Sequence, residues 1–268
     1  MTAIAVTIAG SDSGGGAGIQ ADLKTFSALG VYGASVLTAL TAQNTLGVSA
    51  VHDVPGDFVR AQIDAVFSDL HVDAVKIGML SQPETIETVA AGLKAHAGAP
   101  VVLDPVMVAA SGDPLIADQA VETLIRVLIP QADLITPNLH EAARLLQADI
   151  AADAREMEAQ AEQLAGLGAT AVLIKGGHGA GATADDFLLT EAGGDWLSRP
   201  RHPTTNTHGT GCTLSSAIAA GLARGLPLDE AVAVAKDYIS AAIAAADTLA
   251  IGSGHGPVHH FHAFWSKS

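Results

Sequence analysis

Two segments of this sequence combine residue types and spacing suited to binding a phosphate group. The later one reads "NTHGTGC", and its glycines, Gly209 and Gly211, precede a predicted amphipathic helix. Glycines there let successive N–H groups point the same way, and the helix N-terminus adds partial positive charge. The backbone of Gly209, Thr210, Gly211 and Cys212 is therefore predicted to form an anion-binding turn.

The earlier segment, "IAGSDSGGGAGIQADL", places a glycine-rich loop between an apolar run and a helical pattern. It contains no Walker A sequence, and none occurs elsewhere in the chain. Residues 16–21 match G-x-G-x-x-A, but the region about twenty positions on, "VLTALTAQNTLG", lacks the carboxylate that would hold a ribose. From the residues alone, this loop could hold a nucleotide's phosphates or the molecule to be modified.

Polar side chains follow four of the apolar runs: Asp12, Asp104, Asn138 and Lys175. Any one of them alone is more often a turn or capping residue. Ligands of parallel sheets bind outside the carboxyl ends of the strands, so the four together favour a site. A lysine that closes an apolar strand in so acidic a protein is best explained by an anion, and we predict that Lys175 reaches a phosphate.

The elements that must position these residues alternate between strand and helix. Continuous apolar runs, "IAVTIAG", "VDAVKIG", "PVVLDP", "ADLITPN" and "TAVLIKGG", are typical of strands buried on both faces of a parallel sheet. Helical spacing lies between them, as in Ile19, Leu23 and Phe26 with Gly30 as C-cap. "DDFLLT" and "DWLSRPR" predict an added antiparallel hairpin. We expect a single α/β domain over residues 1–268.

Composition excludes several classes of function. The net charge is −15 and the isoelectric point is near 4.9, which argues against nucleic acid and anionic membrane surfaces. The single cysteine excludes an internal disulfide and fits a reducing compartment. The N-terminus has no basic region typical of a signal peptide, and the most apolar late segment is too short to span a bilayer. We expect a soluble cytoplasmic protein.

Several motifs, in their order and spacing, resemble those of the hydroxymethylpyrimidine/phosphomethylpyrimidine kinases of thiamine biosynthesis. They are the glycine-rich start, "DPVMVAASGD", "ITPNLHEA", "VLIKGGHG" and "NTHGTGC". The resemblance runs from Ile4 to the C-terminal "GPVHHFHAFW". It implies a ribokinase-like fold with a central, mostly parallel sheet sandwiched between helices. It also implies a homodimer that uses ATP and Mg²⁺.

The resemblance assigns the N-terminal glycine loop to the pyrimidine and the late turn to the ATP phosphates. By this comparison Asp22 and Gln43 are expected to hydrogen-bond the aminopyrimidine. A carboxylate or an amide can indeed pair with a ring nitrogen beside an amino group. The residues expected to line the pocket are Gly10, Ala17, Met79 and Val106.

The catalytic roles follow in the same way. Cys212 stands where many ribokinase relatives carry an aspartate base, and a helix N-terminus can lower a thiol pKa to about 4–7. We therefore expect Cys212 to accept or orient the hydroxymethyl proton, without a covalent phosphocysteine. Glu141 and Asn138 match the family's N-x-x-E element, which holds Mg²⁺, often through waters. Asp104 is expected to add negative charge near the metal.

The sequence departs from the family pattern at two positions, and its C-terminal segment contains several histidines. Gly14 stands where many relatives have serine, and Ala110 stands where a lysine is often found, which would weaken nucleotide contacts. The tail residues His259, His260 and His262 have no cysteine or carboxylate at zinc-binding spacing, so we expect them to pack rather than bind metal.

Two alternative functions stay open at this point. One is a pyridoxal kinase of the same superfamily, because pyridoxal resembles the pyrimidine in size and also carries a hydroxymethyl group. The other is a non-catalytic pyrimidine-binding protein, although Lys175, Glu141 and the complete G-T-G-C turn argue against it.

Overall fold

The architecture is taken from a computed structural model, which describes residues 1–96, 98–108, 115–177 and 181–265. Within these residues nine strands join one sheet, in the order β3-β2-β1-β4-β5-β6-β7-β8-β9. The strands are β1 (Ile4–Asp12), β2 (Tyr32–Asn44), β3 (Gly47–Asp53), β4 (Ala74–Ile77), β5 (Val101–Leu103), β6 (Leu134–Ile135), β7 (Ala171–Ile174), β8 (Thr183–Thr190) and β9 (Gly193–Pro200).

The middle of the sheet is parallel and both of its edges are antiparallel. Strands β2, β1, β4, β5, β6 and β7 pair in parallel. Strand β3 pairs antiparallel with β2, and the β8–β9 hairpin adds antiparallel to β7. Because the parallel strands point the same way, the residues that follow them gather at one edge of the sheet.

Helices cover both faces of the sheet. They are α1 (Gly18–Ala28), α2 (Gly56–Phe67), α3 (Pro83–Ala95), α4 (Asp118–Thr123), α5 (Leu139–Leu146), α6 (Ala154–Ala165), α7 (Thr210–Ala223) and α8 (Leu228–Ala244). One apolar core lies under α2 to α6, and a second lies under α1, α7 and α8. Neighbouring strand residues alternate between the two cores, as Ala5 and Val6 do, because successive side chains point to opposite faces.

The five apolar runs form strands as predicted, and so does the hairpin. Gly30 has φ of +75° just after α1, which agrees with its predicted role at the helix end. The prediction that α7 is amphipathic is wrong. Residues 213–221 of this helix are buried, because it lies between the sheet and helices α1 and α8.

In the described part of the chain, no helix combines the length and the apolar character needed to cross a membrane.

Candidate active site

The two glycine-rich segments, far apart in sequence, lie against each other. Gly209 has φ of +79°, and a Cβ there would overlap the carbonyl oxygen of Gly16. The N–H of Gly18 lies near the sulfur of Cys212 and lowers the pKa of that thiol. A Cβ at Gly18 would in turn overlap the carbonyl oxygen of Gly10. The predicted substrate loop and the predicted phosphate turn therefore form one site, and glycine is required where their backbones touch.

The late turn leads directly into α7, with Gly209 as its N-cap residue. Both the N–H and the hydroxyl of Thr210 donate to the Thr207 carbonyl, at 3.2 and 2.7 Å, so this residue closes the turn. The first N–H groups of a helix have no partner within the helix. The amides of Gly211 and Cys212 are thus the ones best placed to receive an anion.

A cluster of charged side chains lies beside the start of α7. A Cβ on Gly211 would lie 3.2 Å from Lys175 Nζ and 3.5 Å from Asp104 Oδ2. Lys175 Nζ donates to Asp104 Oδ1 at 2.6 Å and lies 4.0 Å from Glu141 Oε2. Burial alone would lower the pKa of Lys175, but these two carboxylates raise it above its ordinary value. The lysine is therefore cationic and lies next to the amide turn.

Glu141 and Asn138 form a capping box at the start of α5. Asn138 Oδ1 accepts from the Glu141 N–H at 2.9 Å, and Glu141 Oε2 accepts from the Asn138 N–H at 2.7 Å. Burial raises the pKa of Glu141 to about 7 and the charge of Asp104 adds to this, while Lys175 and backbone N–H groups oppose it. Lys175 only partly neutralises the carboxylates of Asp104 and Glu141, which fits a divalent cation with hard oxygen ligands.

Cys212 differs from its sequence-based expectation. Burial raises the pKa of its thiol to about 11. The nearby Lys76 ammonium and the Gly18 N–H lower it, but the carboxylates of Asp22 and Asp104 raise it further. The prediction of a lowered pKa is therefore wrong, since the helix N-terminus does not outweigh burial and two negative charges.

The predicted pocket residues lie around the N-terminal loop. Met79 is buried, and its Sδ would lie 3.4 Å from a Cβ on Gly10, so the sulfur closes over this glycine. Gln43 is partly exposed at the end of β2, and its Oε1 accepts from Thr41 Oγ1 at 3.0 Å. Ala17 is partly exposed just before α1. Val106, also partly exposed, donates its N–H to the Asp104 carbonyl at 2.8 Å, which places it beside the charged cluster.

Asp22 has no exposed surface, and this disfavours the expected contact with a substrate. Its carboxylate accepts two bonds from Lys76 Nζ at 2.9 Å, one from Thr7 Oγ1 at 2.6 Å and one from Ser216 Oγ at 2.6 Å. A carboxylate offers about four lone-pair sites, and all four are used here. Asp22 instead joins β1, β4, α1 and α7 beneath the site.

The tail histidines are tied to the fold. His259 and His260 are buried, and burial lowers the pKa of His260 to about 3. His260 Nε2 lies 3.1 Å from Thr213 Oγ1, and the His262 ring packs against Tyr238. Among the described residues, no group of three or more histidine, cysteine, aspartate and glutamate side chains is arranged to hold a metal alone.

Gly14 is exposed in the loop, whereas Ala110 lies outside the described residues.

Two residues, Asp12 and Lys76, support the site from beneath in roles that the sequence does not predict. The sequence identifies Asp12 only as a strand-end carboxylate, yet it accepts hydrogen bonds from three amides of the glycine loop and from His208. Lys76 lies inside the apolar run "VDAVKIG" and is fully buried. A lysine in such an apolar run requires a buried anionic partner, so its presence predicts a buried ion pair. That the partner is Asp22 is not apparent from the sequence.

An amide turn, a lysine and two carboxylates at the carboxyl edge of a parallel sheet, next to a glycine loop, are typical of enzymes that transfer phosphoryl groups to small molecules. The family model described as phosphomethylpyrimidine kinase matches residues 12–259 of this chain. The chain belongs to that family.

Individual relatives agree with this assignment. A hydroxymethylpyrimidine/phosphomethylpyrimidine kinase of Rhizobium meliloti is 62% identical over 268 residues, covering 99% of each chain. A bifunctional thiamine biosynthesis protein of Geobacter sulfurreducens is 56% identical over 255 residues, which are 95% of this chain and 51% of that protein. The crystal structure of an ADP complex of Bacillus subtilis pyridoxal kinase matches with a TM-score of 0.91 at 37% identity, covering 98% of this chain and 99% of that one.

These findings confirm the predicted family, the ribokinase-like fold class and the prediction of an enzyme of the kinase class.

Proposed function

We propose that this protein transfers a phosphoryl group from ATP to 4-amino-5-hydroxymethyl-2-methylpyrimidine, and then a second one to the monophosphate. The product would be the diphosphate used in thiamine biosynthesis. The observation that carries the proposal is the contact between the two glycine segments, with Cys212 on one side and Lys175 beside the turn. The names of the Rhizobium and Geobacter relatives support the same substrate and pathway.

In this proposal the pyrimidine lies against the N-terminal loop. Gln43 would pair with the ring nitrogen and amino group, since its amide offers a donor and an acceptor side by side. Met79 provides a soft, polarizable surface for the flat ring. Gly10, Ala17 and Val106 complete the wall, and the hydroxymethyl group would point toward the Cys212 sulfur.

The transfer itself needs positioning and charge neutralisation more than covalent chemistry. The hydroxymethyl oxygen attacks the γ-phosphorus, the bond to the leaving oxygen of ADP breaks, and the hydroxyl proton passes to the thiolate form of Cys212, which becomes the thiol. The amides of Gly211 and Cys212, together with the Lys175 ammonium, would stabilise the charge on the migrating group. Since the thiolate is scarce at neutral pH, we expect kcat to rise with pH through the neutral range.

Asp104 and Glu141 are the residues that would hold Mg²⁺, as their buried carboxylates both lie beside Lys175, at 2.6 and 4.0 Å. Asn138 would support Glu141 through the capping box rather than bind the ion itself. A magnesium ion held there would supply positive charge that neutralises the phosphate groups.

The two phosphorylations place different demands on Cys212. The first acceptor is an alcohol, which must lose a proton. The second is a phosphate ester whose second pKa is about 6, so it is already ionised at neutral pH. We therefore expect the Cys212→Ala variant to lose about 10²- to 10⁴-fold in the first step and clearly less in the second.

Purified protein with Mg-ATP and each acceptor in turn tests the proposal, with mass spectrometry counting the phosphates added. We expect both steps with the pyrimidine and a much lower kcat/KM with pyridoxal. The fold similarity to pyridoxal kinase makes that comparison necessary. Preferred turnover of pyridoxal would overturn the substrate assignment, and pyrimidine binding without ADP release would indicate a non-catalytic protein.

We further propose that the enzyme acts in the cytoplasm as a homodimer of single-domain chains. The reducing compartment inferred from the lone cysteine supports the first point. Sedimentation of the purified protein tests the second.

A further inference from the structure

Asp12 and His208 join the two glycine-rich segments across 196 residues of sequence. His208 Nε2 donates to Asp12 Oδ2 at 2.9 Å, and both side chains are buried. Hydrogen bonds with an ionised partner are about twice as strong as those between neutral groups. This bond therefore ties the end of β1 to the residue that immediately precedes Gly209.

On the N-terminal side, the Asp12 carboxylate organises the glycine loop. Its Oδ1 accepts the N–H of Gly14 at 2.8 Å, and its Oδ2 accepts the N–H groups of Gly16 and Ala17 at 2.9 and 2.8 Å. Burial would raise the pKa of Asp12, but the bonds from His208, Ala17 and Gly14 lower it below its ordinary value. The loop thus folds around an ionised carboxylate.

On the other side, His208 is held tightly by its own backbone and by its neighbours. Its N–H donates to the Gly256 carbonyl at 3.0 Å, and its carbonyl accepts from the Val258 N–H at 3.3 Å. A Cβ on Gly16 would overlap the His208 ring. Because the loop and the turn are in close contact, a shift of one must displace the other.

Gln43 completes the arrangement. Its Nε2 lies 3.4 Å from His208 Nε2, and its Oε1 accepts from Thr41. A ring nitrogen that donates its hydrogen to Asp12 has no lone pair to accept from Gln43. The bond to Asp12 therefore favours the form of His208 that carries a hydrogen on Nε2. The Gln43 NH₂ group then keeps its hydrogens for another partner.

We propose that Asp12 and His208 are a pair of positioning residues that seat the phosphate turn against the substrate loop and leave the amide hydrogens of Gln43 available to the acceptor. The inference rests on the proposed function for the identity of the substrate. The pair contacts neither Lys175 nor the two carboxylates beside it, so we expect it to act on capture of the acceptor and on the position of the transferring phosphoryl group, and not on the binding of Mg-ADP.

The test compares His208→Leu, which removes the donor, with His208→Gln, which keeps an N–H group near the position of Nε2. Asp12→Asn and the double variant complete a cycle, and His71→Leu is the control because that side chain is 90% exposed. The measurements are kcat and KM for the pyrimidine, the Kd of Mg-ADP and the thermal midpoint.

We expect His208→Leu to raise the KM for the pyrimidine about 10- to 100-fold, the size of one buried charge-assisted hydrogen bond. The Kd of Mg-ADP should stay within about threefold. His208→Gln should recover most of the loss, and the double variant should lose less than the product of the two single losses. An unchanged KM in His208→Leu, a matching loss of nucleotide affinity, or independent effects of the two substitutions would overturn the proposal.

A second readout does not depend on the substrate. Iodoacetamide alkylates Cys212, the chain's one cysteine, and displacement of the turn in folded His208→Leu should speed this reaction about tenfold or more, whereas the control should react like the wild type. Failure of the wild type to phosphorylate the pyrimidine would count against the proposed function alone. An unchanged alkylation rate would count against the positioning pair alone.

Discussion

Replacing Lys76 by methionine tests how the buried charges beneath the site are supported. Lys76 and Asp22 have no exposed side-chain surface, and the ammonium bonds both carboxylate oxygens at 2.9 Å. In the variant, Asp22 would keep only the hydroxyls of Thr7 and Ser216, so two of its four hydrogen bonds and its counter-charge would be lost.

The magnitude follows from the uncompensated charge. Removing one partner of a buried ion pair costs about 3–5 kcal/mol of unfolding free energy. For a chain of this size, one kcal/mol corresponds to roughly 2–4 °C, so the melting temperature should fall by about 6–20 °C. The Lys76→Met/Asp22→Asn double variant removes both charges and should recover most of this loss.

Denaturant unfolding of the wild type and the variants measures these differences. Arg60→Met is the matched control, because Arg60 and Asp64 form an ion pair at 2.9 Å whose side chains are 39% and 47% exposed. An exposed pair contributes about 0–1 kcal/mol, so this substitution should change little. A Lys76→Met variant that loses no more than the Arg60→Met control would refute the reasoning.

The double variant also decides the role of Asp22. If the carboxylate only supports the fold, the KM for the pyrimidine should stay within a few-fold once stability is restored. If Asp22 binds the substrate directly, the KM should rise steeply in the double variant even though the protein is stable. In the single Lys76→Met variant kcat should also fall, because that ammonium lowers the pKa of Cys212, whereas in the double variant the loss of the Asp22 charge, which raises this pKa, offsets the effect.

Three further predictions concern the turn and the pocket. Because the Cys212 pKa is raised to about 11, its alkylation rate should climb through pH 10 without levelling off, and a plateau below pH 8 would contradict the raised value. Gly209→Ala should abolish most activity. Gly225 has a similar φ of +83°, but a Cβ there would meet no atom within 4 Å, so Gly225→Ala should cost only about 1–2 kcal/mol of stability. Equal effects of the two substitutions would exclude the close contact as the cause. Gln43→Ala should raise the KM for the pyrimidine about tenfold with little change in kcat, and steady-state kinetics showing an unchanged KM would remove it from the pocket.

The sequence predicted the central sheet well because its strands are continuous apolar runs. It gave no such signal for β2 and β3. Strand β2, "YGASVLTALTAQN", mixes threonine and alanine with larger apolar residues, and it lies next to the largely exposed edge strand β3. The sequence therefore does not predict this antiparallel edge, although the family resemblance identifies Gln43 at the end of β2 as a site residue.

Within the site, local patterns identified the groups but not their surroundings. The turn and Lys175 follow from residue type and position alone, and Glu141 follows from the family resemblance. The partners of Asp22 and Asp12 do not, because Lys76 lies 54 residues from the first and His208 lies 196 residues from the second. The Cys212 pKa was misjudged for the same reason, since burial and distant carboxylates outweigh the helix terminus.

The most direct test of the central claim is a crystal structure with the pyrimidine and a non-hydrolysable ATP analogue bound together. The account predicts the hydroxymethyl oxygen within hydrogen-bonding reach of the Cys212 sulfur, and the terminal phosphate on the amides of Gly211 and Cys212 beside Lys175. A terminal phosphate bound instead in the N-terminal glycine loop, with the pyrimidine away from Cys212, would contradict it.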